Sequence, residues 1–253
     1  DLLRRVSAAF IHPNDFGAYL VIACLVVLSL SLIKRSGIVS RIFLAGIFGL
    51  SAFTLFLTQS RSAWFSFVIA ASCFVWMRMK KWSAVFVLVI IAVFIFLPSA
   101  AKQRIGDTLN FREGTTSWER LKLWQTSLGM VREEPILGMG INTYSRNFQK
   151  FKPADYPDAR YAHNSYLQIA AETGVVGAGL FIMFLAAVFL KIIKTMSGRE
   201  GPCDGLSPGL LCGLAGFAFC SLFDTHMHSV SLVALFHALL GFCLALNWRI
   251  NEK

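Results

Sequence analysis

The residues of this chain best suited to chemistry are His163, Arg61 and Arg120, each beside a boundary between polar and apolar sequence. His163-Asn164-Ser165 ends a long polar loop. The stretch from Ser165 to Lys194 then carries only Glu172 and Lys191 as charges before its last residue. Its run from Val175 to Leu190 is apolar apart from two glycines, which predicts a bilayer-inserted helix with Asn164 or Ser165 as N-cap. Free amides and the helix dipole at such an end favour negative charge. They disfavour further positive charge, which leaves the imidazole of His163 able to take a proton. A base beside an anion site at a membrane edge suits transfer chemistry on a phosphorylated lipid. The competing role for His163 is structural, as part of the helix cap. Of the five histidines (His12, His163, His226, His228, His237), it alone combines a helix N-terminus with a basic loop. Arg61, in the short turn 58–64, can bind phosphate or snorkel to phospholipid head groups.

The elements that must position these residues are membrane helices. Of the 253 residues, 56% are hydrophobic and 15% charged, with mean hydropathy +0.61, which excludes an ordinary soluble domain. Seven apolar runs approach the length of a span: Phe16–Ile33, Ile42–Leu57, Ala63–Met77, Trp82–Leu97, Ser165–Leu190, Leu206–Phe223 and Val230–Trp248. Lys34, Arg35 and Arg41, then Arg78, Lys80 and Lys81, then Lys191, Lys194 and Arg199, and finally Arg249 and Lys253 fall on one side when the runs alternate. The positive-inside rule makes that side cytoplasmic, so the N-terminus, residues 58–62, residues 98–164 and residues 224–229 are external. The net charge of +10 includes ten basic residues in the long loop, where the rule has little force. The chain begins at Asp1 without methionine and in mid-loop, and reads as a piece of a longer protein that has lost upstream helices.

The chain therefore reads as an all-α polytopic bundle, one membrane domain over residues 1–253 with one large external loop. Within that loop Leu121, Trp124, Leu128 and Val131 make a helical stripe, and its tryptophans predict an amphipathic helix lying on the membrane. Arg120 and Trp124 sit one turn apart on it. Gly138-Met-Gly140 reads as a tight turn, with no strand before it and no P-loop anywhere. Gly209-x-x-x-Gly213, followed by Gly216, reads as a close helix contact. Asp224-Thr-His226-Met-His228 reads as an exposed polar turn in preference to a metal site. The six cysteines (Cys24, Cys73, Cys203, Cys212, Cys220, Cys243) form no C-x-x-C and read as small packing residues.

Five landmarks in order resemble the O-antigen ligase family of bacterial membrane proteins. His163-Asn164, nine residues, then Gly174-Val-Val-Gly177 fits the family pattern of His, then Asn, Ser or Gln, nine residues, Gly, two residues, and Gly, Thr or Tyr. Ser60-Arg-Ser-Ala-Trp64 resembles the family's Ser-Arg-Gly-Ala-Trp turn, with serine for glycine. Arg120-x-x-x-Trp124 with Pro135-Ile-Leu-Gly-Met-Gly140 resembles the central loop, and His12-Pro-Asn-Asp-Phe16 the upstream loop.

The resemblance implies an inverting, metal-independent glycosyltransferase of the inner (cytoplasmic) membrane with its active site facing outside. Its donor would be a glycan on undecaprenyl pyrophosphate, and its acceptor a hydroxyl of lipid A core or of another glycan. A polymerase of the same family is the close alternative. No cofactor, no metal and no nucleic acid enter the expectation; lipids do. It maps the essential histidine to His163 and the phosphate arginines to Arg61 and Arg120, with Arg112, Arg132 and Arg160 as competitors for the second. Trp124 and Asn164 complete the substrate-binding set. Two rivals differ in class. A lipid-linked glycan transporter should carry ionisable groups in mid-helix, and these helices hold almost none. A binding scaffold would tolerate loss of His163.

Overall fold

The computed structural model describes residues 5–33, 37–154, 156–196 and 206–248. Lys34, Arg35, Asp155, Arg199, Cys203, Arg249 and Lys253 lie outside the described residues. Ten α-helices and short 3-10 turns make up the described fold, with no strand among these residues. All seven apolar runs are helical: α1 (Pro13–Ser31), α2 (Ile38–Leu57), α3 (Arg61–Arg78), α4 (Ser83–Phe96), α8 (Ser165–Met196), α9 (Ser207–Cys220) and α10 (Val230–Trp248). The protein is an all-helical membrane protein. Three helices, α1, α2 and α8, are long and apolar enough by themselves to cross a bilayer, and a fourth span results if α4 is taken with α5 (Ser99–Gly106). The remaining helices, α6 (Thr116–Glu133) and α7 (Tyr144–Phe151), occupy the long loop.

The chain divides into two compact units. In the first (residues 1–102, 188–220 and 230–253), α1 packs on α2, α3 and α9, and α9 packs on α3 and α10. The glycine stripe of α9 makes its contact with α1. A Cβ on Gly209 would fall 2.3 Å from Ser29 Cβ, on Gly213 3.1 Å from Ile22 Cα, and on Gly216 2.8 Å from Val21 Cγ1. Backbones therefore meet as membrane helices with small residues do, and Ser29 Oγ accepts the Gly209 amide at 3.2 Å. Cys24, Cys212, Cys220 and Cys243 are buried, and Cys73 is exposed.

The same unit explains the Ser-Arg-Ser-Ala-Trp turn. Gln59 takes positive φ (53°), Ser60 caps α3 in extended backbone, and Arg61 is the first helical residue. Trp64 Nε1 donates to Leu55 O at 3.0 Å while its ring stacks on Phe56. Gly17 of α1 packs against this turn, since a Cβ there would lie 2.8 Å from Ala63 Cβ.

The second unit (residues 103–187 and 221–229) has a small core of its own: Leu123, Met130, Tyr144, Phe148, Tyr156, Ala162 and Ala171. Tyr144 and Ser127 share a hydroxyl hydrogen bond of 2.7 Å between α6 and α7. Helix α6 starts at Thr116, because Thr115 Oγ1 accepts the Trp118 amide. Its buried face is Leu123, Thr126, Ser127 and Met130, whereas Leu121 and Leu128 of the expected stripe are exposed. The turn at Asp224 is a correction: Asp224, His226 and Met227 are buried, not exposed. Helix α8 is a second correction, since Gly174 (φ 68°, ψ −177°) breaks it where the sequence reads as continuous.

Candidate functional site

In the second unit the end of the polar loop is led into α8 by a strained residue. His163 takes positive φ (49°), an uncommon backbone for a non-glycine residue that costs roughly 1–3 kcal/mol. Contacts on both sides hold it there. Gln168 Oε1 accepts the Ala162 amide at 3.0 Å, and Trp124 Nε1 reaches the His163 carbonyl at 3.4 Å. Asn164 is the N-cap: its Oδ1 accepts the Leu167 amide at 3.0 Å and its carbonyl the Gln168 amide. Capping thus falls to Asn164, and the His163 side chain makes other contacts.

Those contacts centre on Asp224. His163 Nδ1 lies 2.8 Å from Asp224 Oδ1, and Arg120 Nη2 3.6 Å from Asp224 Oδ2. The Asp224 side chain is 10% exposed and that of His163 44%, so the carboxylate is enclosed while the imidazole stays open on one side. Because an ionised carboxylate only accepts, Nδ1 carries a proton, and in the neutral ring Nε2 is then the nitrogen with the lone pair. Burial by itself would raise the Asp224 carboxyl. The His163 hydrogen bond, with the nearby His226 and His163 rings and the Arg120 guanidinium, overrides it and holds the group well below the usual carboxylate range.

Asp224 is fixed by its own turn, which is stitched to the first residue of α8. Ser165 N donates to Ser221 O (2.9 Å) and Asp224 O (3.1 Å). Ser165 Oγ donates to Asp224 O (2.9 Å) and accepts from Met227 N (3.2 Å). Thr225 N donates to Asp224 Oδ1 at 2.9 Å. A neighbouring cluster forms around Glu172, whose Oε2 accepts the Asn142 amide (3.0 Å) and lies 3.8 Å from His228 Nε2, while Oε1 accepts Gln168 Nε2. Glu172 is thereby a hydrogen-bonding residue of the scaffold.

Of the residues singled out from sequence, the structure brings His163, Arg120, Trp124 and Asn164 together around Asp224. Arg61 belongs to the first unit, at the N-terminus of α3; in the same unit Arg5 Nε donates to Thr58 O at 2.9 Å. Asp224 is the residue that sequence reading missed. The available signal was topological: with alternating spans, residues 224–229 and His163 fall on the same side of the membrane. No group of three or more possible ligands able to hold a metal ion occurs among the described residues.

Comparison with known proteins adds a family match. The family model described as O-antigen ligase matches residues 46–182, more than half of the chain, and this range includes Arg61, Arg120, Trp124, His163 and Gly174. No curated protein matches the sequence significantly.

Proposed function

This chain belongs to the O-antigen ligase family, and on that premise we propose that it transfers a glycan from undecaprenyl pyrophosphate to a hydroxyl of lipid A core, at the outer face of the bacterial inner membrane. The observation that carries this reading is the His163–Asp224 pair, a half-open imidazole whose Nδ1 is held 2.8 Å from an enclosed carboxylate.

In this mechanism His163 Nε2 takes the proton from the acceptor hydroxyl as its oxygen attacks the anomeric carbon. The bond from that carbon to the pyrophosphate oxygen breaks in the same step, so the configuration inverts. Asp224 keeps the ring in the tautomer with Nε2 free and stabilises the imidazolium that forms, the same division of labour as in a Ser-His-Asp triad. A positioned base of this kind typically contributes about 100- to 10,000-fold. Pyrophosphate leaves with its charge neutralised by arginine, so no acid and no metal is required. Arg61 supplies one such contact and Arg120 the second, with the guanidinium fork suited to phosphate. A fixed electrostatic contact of this type is worth about 2.7–4 kcal/mol in the transition state. Trp124 offers an indole face to a sugar, and Asn164 keeps its amide Nδ2 for a sugar hydroxyl. The seven apolar runs are read as spans of one membrane domain, with residues 98–164 outside.

The test is glycan transfer by the full-length protein in detergent, with a lipid-linked donor and several acceptors. Transfer to lipid A core supports the ligase reading; transfer only to a second lipid-linked glycan makes the protein a polymerase. No transfer to any acceptor, with donor binding intact, would leave a scaffold.

A further inference from the structure

Between Glu134 and Arg146 the chain carries no charge, although both flanks do. Within this stretch Ile136, Leu137 and Ile141 are 63%, 76% and 79% exposed. Three large aliphatic side chains presented by one short turn are an unfavourable surface for water and a mark of an interaction site.

The height of this turn is set by its backbone. Gly138 and Gly174 approach so closely that a Cβ on Gly138 would lie 2.4 Å from Gly174 N, and one on Gly174 2.1 Å from Ile136 O. The Met139 and Gly140 amides donate to Ala171 O and Glu172 O, both at 2.9 Å, and the Val175 amide donates to Pro135 O at 2.8 Å. The turn is thus locked to α8 at the break. That level divides α8 in two. Before it, Ser165, Gln168, Ala171 and Glu172 are buried in the protein; after it, Val175, Val176 and Leu180 are exposed, and no charge follows until Lys191. Helix α8 is long and apolar enough to cross a membrane, and its exposed apolar length after the break is the part suited to hydrocarbon.

We propose that residues 135–141 form a membrane-seated wedge, with Ile136, Leu137 and Ile141 among the lipid acyl chains at the bilayer edge where α8 enters. The occupant is lipid because the patch adjoins the exposed apolar start of α8. The seat is shallow, since irregular backbone is tolerated in hydrocarbon only where its polar groups are satisfied. The amides of Gly138, Met139, Gly140 and Asn142 are bonded to Glu134 O, Ala171 O, Glu172 O and Glu172 Oε2, and interfacial segments settle roughly 5–10 Å into the boundary. The segment 165–173, at about 1.5 Å per residue, then stands about 14 Å clear of the wedge level. The wedge so sets the height of the His163 end above the membrane. Its lipid contact does not depend on the transfer reading; only its use does.

The test places bimane on single cysteines introduced at Leu137 and Ile141 in the full-length protein, with Cys73→Ala and Cys203→Ala so that only the buried native thiols of the described residues remain. Val176 serves as the lipid-facing reference and Lys150 as the aqueous one. In nanodiscs both membrane faces are open to solvent. Fluorescence at Leu137 and Ile141 should be lost to phospholipid carrying a nitroxide near the head of its acyl chain, as at Val176, and should resist aqueous iodide. Lys150 should show the reverse. Iodide quenching at Leu137 and Ile141 equal to that at Lys150 overturns the proposal. Protection from both quenchers also overturns it, because protein would then cover the turn.

Discussion

His163 is half open and Asp224 is enclosed, the different exposures that the proposed base and its orienting carboxylate need. On the proposed mechanism, in which the arginines are the donor contacts, His163→Ala should abolish turnover while leaving donor binding largely intact. Turnover and donor affinity measured in the same purified variant decide it; equal loss of both would make His163 a phosphate ligand. Asp224→Asn should lower turnover by roughly 100- to 10,000-fold with little change in donor affinity, because the tautomer is no longer fixed. Arg61→Lys should lose most activity and still insert, as lysine lacks the bidentate fork. Wild-type transfer by Arg61→Ala would instead favour head-group snorkelling. Acid should report on Asp224 directly. Its folded carboxyl lies below its unfolded value, so the ionised form favours the folded state. That contribution is complete above the unfolded value of about 3.9 and declines as pH falls below it. Acid unfolding followed by tryptophan fluorescence should therefore be shallower in Asp224→Asn, which starts from lower stability at neutral pH. Superimposable acid profiles would count against the buried pairing.

At the scale of elements, α6 and α8 depart from their sequence patterns for different reasons. On α6 the tertiary core selects Leu123, Ser127 and Met130, because α7 supplies Tyr144 and Phe148 to pack there. Leu121 and Leu128 are left exposed, open to lipid if the helix lies on the membrane. On α8 the glycines are steric, not merely flexible. Gly174 has positive φ and faces the Ile136 carbonyl, and a Cβ on Gly177 would fall 2.3 Å from Thr173 Oγ1. Gly174→Ala should destabilise by roughly 1–3 kcal/mol from backbone strain alone, with the clash added, whereas the exposed Leu137→Ala should change little. Thermal unfolding in detergent checks the pair; equal melting temperatures would mean that the turn is not clasped to α8.

For the whole molecule, the topology proposal makes a simple demand. An impermeant thiol reagent applied from outside should label Lys150→Cys and fail at Arg199→Cys; the reverse result would invert the orientation and the site with it. How much of this is legible from sequence alone follows from the range of the forces involved. Hydrophobic runs, basic loops and the Asn164 cap are local, so composition and spacing were enough to define an all-helical membrane protein and the start of α8. The Gly209-x-x-x-Gly213 contact was legible for the same reason, since small residues leave one packing choice. The His–Asn spacing to Gly174 and the turn at Arg61 were visible as a family resemblance, without their cause. That cause is tertiary. Gly174 matters because the 135–140 turn closes on it, and no local rule announces that approach. Asp224, 61 residues beyond His163, looked like one of several polar residues in a loop. Only the folding of its turn onto Ser165 brings the carboxylate to the imidazole and shields it from water, because an ion pair depends on distance through space and on burial, and neither is written in sequence order.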